Sequence, residues 1–346
     1  MKLLCLDCEG PITLNDNAFE ICQSFLPRGE NFFTLISRYD DYLAYLIKRK
    51  NYTPGNTLKL ITPFFKAYRL TNSIIRTYCK KSIRFVPGAD EMVKRAKSML
   101  NTFIISTSYT PYIEALCELL DFPRENTFST FLDLDQYHIT TMERAKLIRF
   151  YEEILYLSLT PLEKTREKRE ISVQDQRTID KLDEIFFREI PAMEVGKIME
   201  EVHPVGGEEK VKALKKALMM CSCQPENAMY VGDSITDAAV LQWVKEKGGV
   251  ALAFNGNFYA LREAEFACIS PHSFCLSIVI DEFNNNGKRE LLEMASSRAE
   301  RISEKRCMIP EDCLFTRVEK DRLSFLIEES EKMRKKVRGE KIGDLG

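Results

Sequence analysis

Short apolar runs alternate along this chain with longer segments in which apolar residues recur every three or four positions. Residues 2–6 and the run TFIISTS at 102–108 are short and apolar, and the second is rich in β-branched residues, so both predict buried strands. The stretch 85–100 has a Pro-Gly turn followed by apolar residues at helical spacing, which predicts an amphipathic helix. Residues 14–85 have mainly helical patterns as well.

The same alternation continues towards the C-terminus. YIEALCELL predicts a helix, and VGGEEKVKALKKAL predicts a glycine turn that leads into another helix. AMYVGDSITDAAVLQWV has the pattern of strand, loop and helix, and GGVALAFNGN that of a strand followed by a Gly/Asn loop. Strands that alternate with helices in this way predict an α/β fold with a parallel, Rossmann-like sheet.

Two regions interrupt the alternation. Residues 133–203 have helical apolar stripes around the very polar stretch LEKTREKREISVQDQRTIDK, which indicates an inserted helical subdomain with a solvated middle. From about residue 281 charge alternates with helical apolar spacing, which predicts a charged helical extension whose last dozen residues fray. These breaks divide the chain into a catalytic core (1–12, 85–132 and 204–280), a helical segment at 13–84, the insertion 133–203 and the C-terminal extension 281–346.

Composition narrows the possible functions. The 346 residues are 45% hydrophobic and have a net charge of -2, which favours neither nucleic acid nor an anionic membrane as a partner of the whole molecule. Apolar runs stay shorter than the roughly 18 residues that span a bilayer, and we expect a cytoplasmic protein. The eleven cysteines lie in apolar segments, as buried free thiols do.

The spacing of the cysteines and histidines does not favour a metal site. Cys5 and Cys8 form a CxxC pair, but residues i and i+3 on a strand face opposite sides of a sheet, which argues against a zinc site. The three histidines, His138, His203 and His272, are far apart in the sequence and have no ligand spacing.

Acids and hydroxyls stand where predicted strands end. Asp7 and Glu9 follow the first strand, Ser106 closes the second, and Asp233 and Asp237 follow a later one. Each alone is an ordinary turn or capping residue, since Gly-Asp is a common turn. Together they matter more, because ligands of parallel sheets bind at the carboxyl ends of the strands.

Four segments, in this order, resemble the haloacid dehalogenase (HAD) superfamily, most of whose members are phosphatases. DCEGP at 7–11 resembles its first motif, DxDxT, and Ser106 in FIISTSYTPYI resembles its second. Lys210 in GGEEKVKAL and the acids of YVGDSITD resemble its third and fourth. ISTSYTPYI and GGVALAFNGN are also similar to the phosphoserine phosphatase branch, and uncharacterised archaeal members are similar overall.

The resemblance implies a role for each residue. Asp7 would be the nucleophile that forms an aspartyl-phosphate, and Glu9 the acid and base. Ser106 and Lys210 would bind phosphoryl oxygens. Asp7, the Glu9 main-chain carbonyl and Asp233 would hold Mg²⁺, and Asp237 would orient the site.

The resemblance also implies a helical cap at 13–84 over a small anionic phosphorylated substrate. Residues 12–85 contain twelve Lys or Arg against five acids. This excess of positive charge would attract an anionic substrate by electrostatic focusing, and it is equally typical of a solvated helix face. Protein partners stay unknown.

Two positions depart from the superfamily pattern. Glu9 replaces the usual Asp, as it does in phosphoserine:homoserine phosphotransferase, and Pro11 replaces a bracing Thr or Ser. The prediction is therefore a Mg²⁺-dependent phosphatase acting on a small phosphomonoester. Two alternatives stay open: transfer of the phosphoryl group to a small alcohol, and a binding protein that keeps the fold without turnover.

Overall fold

The computed structural model describes residues 1–162, 171–296 and 312–343. Within these residues, seven strands form one sheet. In chain order the strands are β1 (Leu3–Leu6), β2 (Asn101–Tyr109), β3 (Thr127–Thr130), β4 (Ala228–Gly232), β5 (Val250–Phe254), β6 (Phe266–Ile269) and β7 (Leu314–Arg317).

The strand order places a ligand crevice beside β1. The order across the sheet is β3-β2-β1-β4-β5-β6-β7, and all neighbours are parallel except β6 and β7. Leu3 of β1 pairs with Asn101 on one side and with Ala228 on the other. The chain order reverses at this point, and in such sheets the carboxyl ends of the two strands open a binding crevice.

Helices connect the strands and cover the sheet. In chain order they are α1 (Asn17–Phe25), α2 (Gly29–Asp41), α3 (Thr57–Ala67), α4 (Asn72–Ser82), α5 (Ala89–Met99), α6 (Thr110–Leu120), α7 (Thr141–Leu155), α8 (Val173–Glu184), α9 (Lys197–Glu201), α10 (Glu208–Met220), α11 (Ala238–Glu246), α12 (Phe258–Glu263), α13 (Phe274–Asn286), α14 (Lys288–Ser296), α15 (Leu323–Arg338) and α16 (Glu340–Gly343). None of the helices in the described ranges is long and apolar enough to cross a membrane.

Two hydrophobic cores lie on opposite faces of the sheet. Leu4 and Leu6 of β1 belong to the core shared with α5, α6 and α13, whereas Leu3 and Cys5 belong to the core shared with α10, α11 and α15. This alternation is the two-residue period of a strand, and cover on both faces explains why the strands are continuously apolar. Cys8 lies in the first core and Cys5 in the second, so this CxxC pair does not converge on a metal.

The helical segment and the insertion share one core. Phe32 of α2 packs 4.6 Å from Tyr151 of α7, measured between ring centroids, and Phe64 of α3 packs 6.1 Å from Phe186, which follows α8. The insertion therefore packs on the helices of 13–84. The centre of its polar stretch, residues 163–170, lies outside the described residues.

The C-terminal extension is less separate than its pattern predicts. α14, α15 and α16 are helical, as expected, but β7 adds an antiparallel edge strand to the sheet. Leu326 of α15 is fully buried against the second core. The proposed boundary at residue 281 falls inside α13, so the extension contributes to the core fold.

Candidate active site

A buried lysine joins two of the acids at the sheet edge. Asp7 follows β1 directly, and its N–H still donates to the Val231 carbonyl of β4. Lys210 lies in the first turn of α10, and its Nζ is 2.7 Å from Asp7 Oδ2 and 2.7 Å from Asp237 Oδ1. The Lys210 side chain is fully buried. We call Asp7, Lys210 and Asp237 the lysine cluster.

The two carboxyls of the lysine cluster have pKa values that are shifted in opposite directions. Burial raises the pKa of Asp7 to about 8; Asp237 adds to the rise and Lys210 opposes it. Burial acts on Asp237 in the same direction, but Lys210 and the hydrogen bond from Tyr230 outweigh it and lower the Asp237 pKa. Burial alone would lower the pKa of Lys210, and the two carboxylates raise it instead. The lysine therefore stays charged between them.

Asp237 also holds the loop after β4. Its Oδ2 accepts hydrogen bonds from the N–H groups of Asp233 and Ser234, each at 3.0 Å, and its Oδ1 accepts one from the Tyr230 hydroxyl at 2.7 Å. These bonds hold the loop that carries Asp233 against the Asp237 carboxylate.

Two arginines of the C-terminal extension meet Asp233. Arg334 Nη1 donates to Asp233 Oδ2, and Arg338 Nη1 donates to the same oxygen at 3.0 Å. Both arginines project from α15 and are almost fully buried. Arg338 Nε also donates to the Leu14 carbonyl at 3.2 Å. We call Asp233, Arg334 and Arg338 the arginine cluster.

Gly10 makes room for Asp233. Its φ is +101°, and a Cβ built on it would lie 2.2 Å from Asp233 Oδ2. A side chain at this position would combine backbone strain with a clash, so the first motif and Asp233 can approach each other only through a glycine.

Glu9 is buried at the start of the helical segment. Its Oε1 accepts a hydrogen bond of 2.7 Å from the N–H of Asn17, the first residue of α1. Burial raises the pKa of Glu9 well above its ordinary value, and Asp16 adds to the rise. The raised pKa favours the protonated form of Glu9, which is the form that can donate a proton.

Ser106 lies inside β2, because the strand continues to Tyr109. Its Oγ donates to the Ser108 hydroxyl and accepts from the Ser108 N–H, each at 3.1 Å. Ser106 lines a cavity of ≈ 100 Å³ at the sheet edge. The same cavity is lined from the core by Asp7, Glu9 and Asp233, from the C-terminal extension by Arg334 and Arg338, and from the helical segment by Asp40 and Thr57, among others.

Solved structures similar to this chain include one that matches its whole length. It is described as the structure of gene product AF1437 from Archaeoglobus fulgidus, and it is 31% identical over 100% of this chain and 99% of that chain, with a TM-score of 0.83. The chain belongs to the AF1437 family. No protein-family model and no curated protein matches it.

More distant matches are phosphatases and hydrolases by their descriptions. A substrate-bound phosphoserine phosphatase complex is 14% identical over 77% of this chain and 91% of that chain, with a TM-score of 0.45. A HAD family hydrolase, t0658 from Salmonella enterica serovar Typhi, is 11% identical over 74% of this chain and 62% of that chain, with a TM-score of 0.43. The fold of this AF1437-family chain is established by its own strand order, which is that of a Rossmann-like α/β sheet with the HAD-like motifs at one edge.

The acids of the AF1437-family chain could hold a metal ion. Asp7, Asp233 and Asp237 each offer a carboxylate oxygen, and these atoms lie within 4.8 Å of one another. A buried set of oxygen donors suits a hard divalent cation. Because Asp233 Oδ2 already accepts from two guanidinium groups, a cation here would share Asp233 with Arg334 and Arg338.

A second group of possible ligands lies away from the cavity. His272 Nε2 is 3.4 Å from Asp312 Oδ1 and 3.9 Å from Cys313 Sγ. The antiparallel pairing of β6 with β7 brings these residues together. Sequence spacing did not reveal the group, because about forty residues separate His272 from its neighbours.

Sequence reasoning missed three residues of the site. Arg334 and Arg338 lie four positions apart on one helix face, but Lys332, Lys335 and Lys336 conceal this spacing in a generally basic stretch. Thr13 is the third: its Oγ1 and N–H donate to the Cys8 carbonyl at 3.4 and 2.9 Å. Thr13 thus braces the first loop from a position two residues beyond Pro11.

Proposed function

We propose that this protein is a phosphatase that hydrolyses a small phosphomonoester through an aspartyl-phosphate on Asp7. The observation that carries the proposal is the lysine cluster, in which a buried Lys210 lies 2.7 Å from each of two carboxylates beside a polar cavity. A buried ion pair contributes little net stability, because desolvation offsets the attraction between the charges. Perturbed carboxyls that line a cleft are more typical of functional sites.

The chemistry needs two proton transfers. A carboxylate oxygen of Asp7 attacks phosphorus, the bond from phosphorus to the leaving oxygen breaks, and the protonated Glu9 gives its proton to that oxygen. Glu9, now ionised, removes a proton from water, and the resulting hydroxide attacks the aspartyl-phosphate. Inorganic phosphate leaves, and both carboxyls return to their starting states.

Residues at and next to the cavity would bind the phosphoryl group and its cation. The Ser106 hydroxyl and the Lys210 ammonium would hold phosphoryl oxygens. Asp7, the Glu9 main-chain carbonyl and Asp233 would hold Mg²⁺, which supplies the charge that offsets repulsion between Asp7 and an anionic substrate.

The helical segment favours a small substrate. Gly55, from the loop before α3, lies over the sheet edge, and a Cβ built on it would be 3.2 Å from Thr107 and 3.4 Å from Thr236. The Tyr45 hydroxyl donates to the Ile235 carbonyl at 3.1 Å. A cap in this position leaves a cavity of ≈ 100 Å³, which suits a small phosphomonoester better than a macromolecule.

The test is phosphate release from an aryl phosphate and a panel of metabolite phosphomonoesters, with and without Mg²⁺. We expect Mg²⁺-dependent release that is lost in Asp7→Asn and kept in Asp121→Asn, which makes the same change at a fully exposed position. Intact mass should show one added phosphoryl group on the wild type. Product analysis with added alcohols distinguishes water from an alcohol as acceptor. Folded protein that neither releases nor transfers phosphate would contradict the proposal.

A further inference from the structure

A histidine, an aspartate and a cysteine converge where β6 and β7 lie side by side. Their ligand atoms are His272 Nε2, Asp312 Oδ1 and Cys313 Sγ. These atoms are 3.4 Å apart from nitrogen to oxygen, 3.4 Å from sulfur to oxygen and 3.9 Å from sulfur to nitrogen. Zn²⁺ bonds such atoms at about 2.0–2.3 Å, and a tetrahedral angle then separates neighbouring ligand atoms by roughly 3.3–3.6 Å. The three atoms therefore lie close to the positions that one zinc ion requires.

The pairing of β6 with β7 sets this geometry. Ile269 of β6 pairs with Leu314 of β7 in an antiparallel ladder, so the residues after β6 and before β7 leave the sheet together. Ser270 and Cys313 adjoin this pair, and Ser270 Oγ lies 3.1 Å from Cys313 Sγ. The ligands are therefore carried by the ends of paired strands, which hold a site more precisely than loops do.

Ser270 also orients the imidazole of His272. Its hydroxyl donates to the His272 carbonyl, so its oxygen is left to accept, and His272 Nδ1 lies 3.3 Å away. We assign the imidazole hydrogen to Nδ1 from this contact, which leaves the Nε2 lone pair on the side of Asp312 and Cys313. A histidine that binds a metal through one nitrogen almost always donates a hydrogen bond through the other.

We propose that His272, Asp312 and Cys313 bind a zinc ion. Nitrogen, carboxylate and thiolate ligands together favour Zn²⁺ over Mg²⁺ and Ca²⁺, which take oxygen ligands. Cys313 Sγ donates to Asp312 Oδ1 in the structure; on binding, this thiol proton passes to solvent and the sulfur bonds to the metal. Water completes the tetrahedron. A metal ion can enter, because the Asp312 side chain is 58% exposed and that of His272 is 18% exposed.

A zinc ion at this position would fasten the C-terminal extension to the sheet. Cys313 lies 41 positions after His272, and a metal that closes a connection of this length restricts the unfolded chain strongly. β7 leads to α15, whose Arg334 and Arg338 meet Asp233. The ion would thus stabilise the start of the segment that reaches the candidate active site. The inference does not depend on the proposed function, since metal binding is measured without turnover.

Titration of Co²⁺, a spectroscopic substitute for Zn²⁺, into the reduced full chain tests the inference, because a thiolate bound to Co²⁺ absorbs in the near ultraviolet. Mg²⁺ is present throughout to fill sites built from oxygen ligands, such as that of Asp7 and Asp233. We expect thiolate absorption that saturates at one equivalent, disappears when Zn²⁺ is added and is lost in Cys313→Ser. Cys221→Ser, the same change at another partly exposed cysteine, should keep the wild-type signal.

Two further variants examine the other ligands. His272→Gln and Asp312→Asn should each weaken Co²⁺ binding by about tenfold or more, since even changes behind the ligands cost that much. His138→Gln, at an exposed histidine, is the control and should bind as the wild type does. A wild type without thiolate absorption, absorption that does not saturate near one equivalent, or an unchanged signal in Cys313→Ser would overturn the inference.

Thermal unfolding with Zn²⁺ gives a second measurement. At free Zn²⁺ of about one hundred times its Kd, the midpoint of the wild type should rise by roughly 3–5 °C, and a chelator should reverse the rise. The rise should be absent from Cys313→Ser and smaller in Asp312→Asn. Because Asp312 is exposed, Asp312→Asn decides the matter if Cys313→Ser does not fold. A rise of wild-type size in Asp312→Asn would place the metal elsewhere and overturn the inference.

Discussion

The two ion clusters of the cavity are opposite in composition. The lysine cluster places one cation between two carboxylates, and the arginine cluster places two cations on one carboxylate. The first holds the carboxyl of Asp7, the proposed nucleophile, against a single buried cation, and the second holds Asp233 against two. The two acids that follow neighbouring strands therefore have different electrostatic surroundings.

Removing Lys210 should have the largest effect on this arrangement. Lys210→Met leaves Asp7 and Asp237 buried without their shared cation, and we expect a loss of roughly 3–5 kcal/mol in the free energy of unfolding. Phosphatase activity should fall below detection. Denaturant titration and aryl phosphate hydrolysis measure the two effects.

Lys212→Met is the control for Lys210→Met. Lys212 lies on the same helix and is exposed, and it pairs with Glu209 at 2.6 Å. Its loss should change the free energy of unfolding by less than about 1 kcal/mol. Similar effects at the two positions would mean that burial between the acids has no special role.

Gly10→Ala should disturb the other cluster. The new methyl group meets Asp233 Oδ2, so the carboxylate must leave its present position and its bonds with Arg334 and Arg338. Backbone strain adds roughly 1–3 kcal/mol, because φ at this position is positive. We expect lower stability, weaker Mn²⁺ binding and loss of activity.

Gly248→Ala separates the strain at Gly10 from the clash. Gly248 has φ +81°, and its nearest neighbour would be the Glu226 Cβ at 3.7 Å. It should show the strain alone, with normal Mn²⁺ affinity. If Gly10→Ala destabilises no more than Gly248→Ala and keeps its metal affinity, Asp233 is not confined as the structure places it.

Much of the fold could be predicted from the sequence, because it depends on local patterns. β1 and β2 were predicted at 2–6 and 102–108 and occur at Leu3–Leu6 and Asn101–Tyr109. β7 was not predicted, because a four-residue edge strand inside a charged helical region has almost no pattern of its own. Its position depends on pairing with β6, which is a tertiary contact.

The lysine cluster and the arginine cluster also differ in how far the sequence predicts them. Asp7, Lys210 and Asp237 each follow a strand or begin a helix of the motif-bearing core, so their sequence context indicated that they would meet. Arg334 and Arg338 reach Asp233 from about one hundred residues away, and no local pattern marks them as different from the lysines around them. Long-range contacts between surface-like helices and a strand end are the part of this site that the sequence conceals.

Glu9→Gln should show whether Glu9 transfers protons during turnover or only accepts a hydrogen bond. Glutamine can still accept the Asn17 N–H but cannot exchange protons, so turnover should fall by about 10²–10⁴-fold with little loss of stability. With an aryl phosphate whose phenol leaves without a proton, the first step should survive and the aspartyl-phosphate should accumulate as a burst. Glu20→Gln, a buried acid paired with Arg84 outside the cavity, should keep turnover. Equal losses in both variants would argue against an acid–base role for Glu9.

Asp40 is a further buried carboxyl of the cavity, and it shows how such a group behaves when amide and hydroxyl groups are its hydrogen-bond donors. This buried carboxylate lines the same cavity, but its partners are the N–H groups of Gly55 and Thr57 and the Thr57 hydroxyl, at 2.9 to 3.1 Å. Burial raises its pKa to about 6, above the ordinary value of 3.8. Since the fold favours the protonated form, its contribution to stability is complete below about pH 4 and is lost as the pH rises through about 6.

Asp40→Asn removes this titration and keeps an oxygen for the same donors. Between about pH 5 and pH 7.5 the free energy of unfolding of the wild type should fall by roughly 1.4 kcal/mol more than that of the variant. Denaturant titration at the two pH values measures the difference. An equal fall in both proteins would mean that amide and hydroxyl donors alone stabilise a buried carboxylate in this cavity, and the cations of the two clusters would then serve chemistry more than stability.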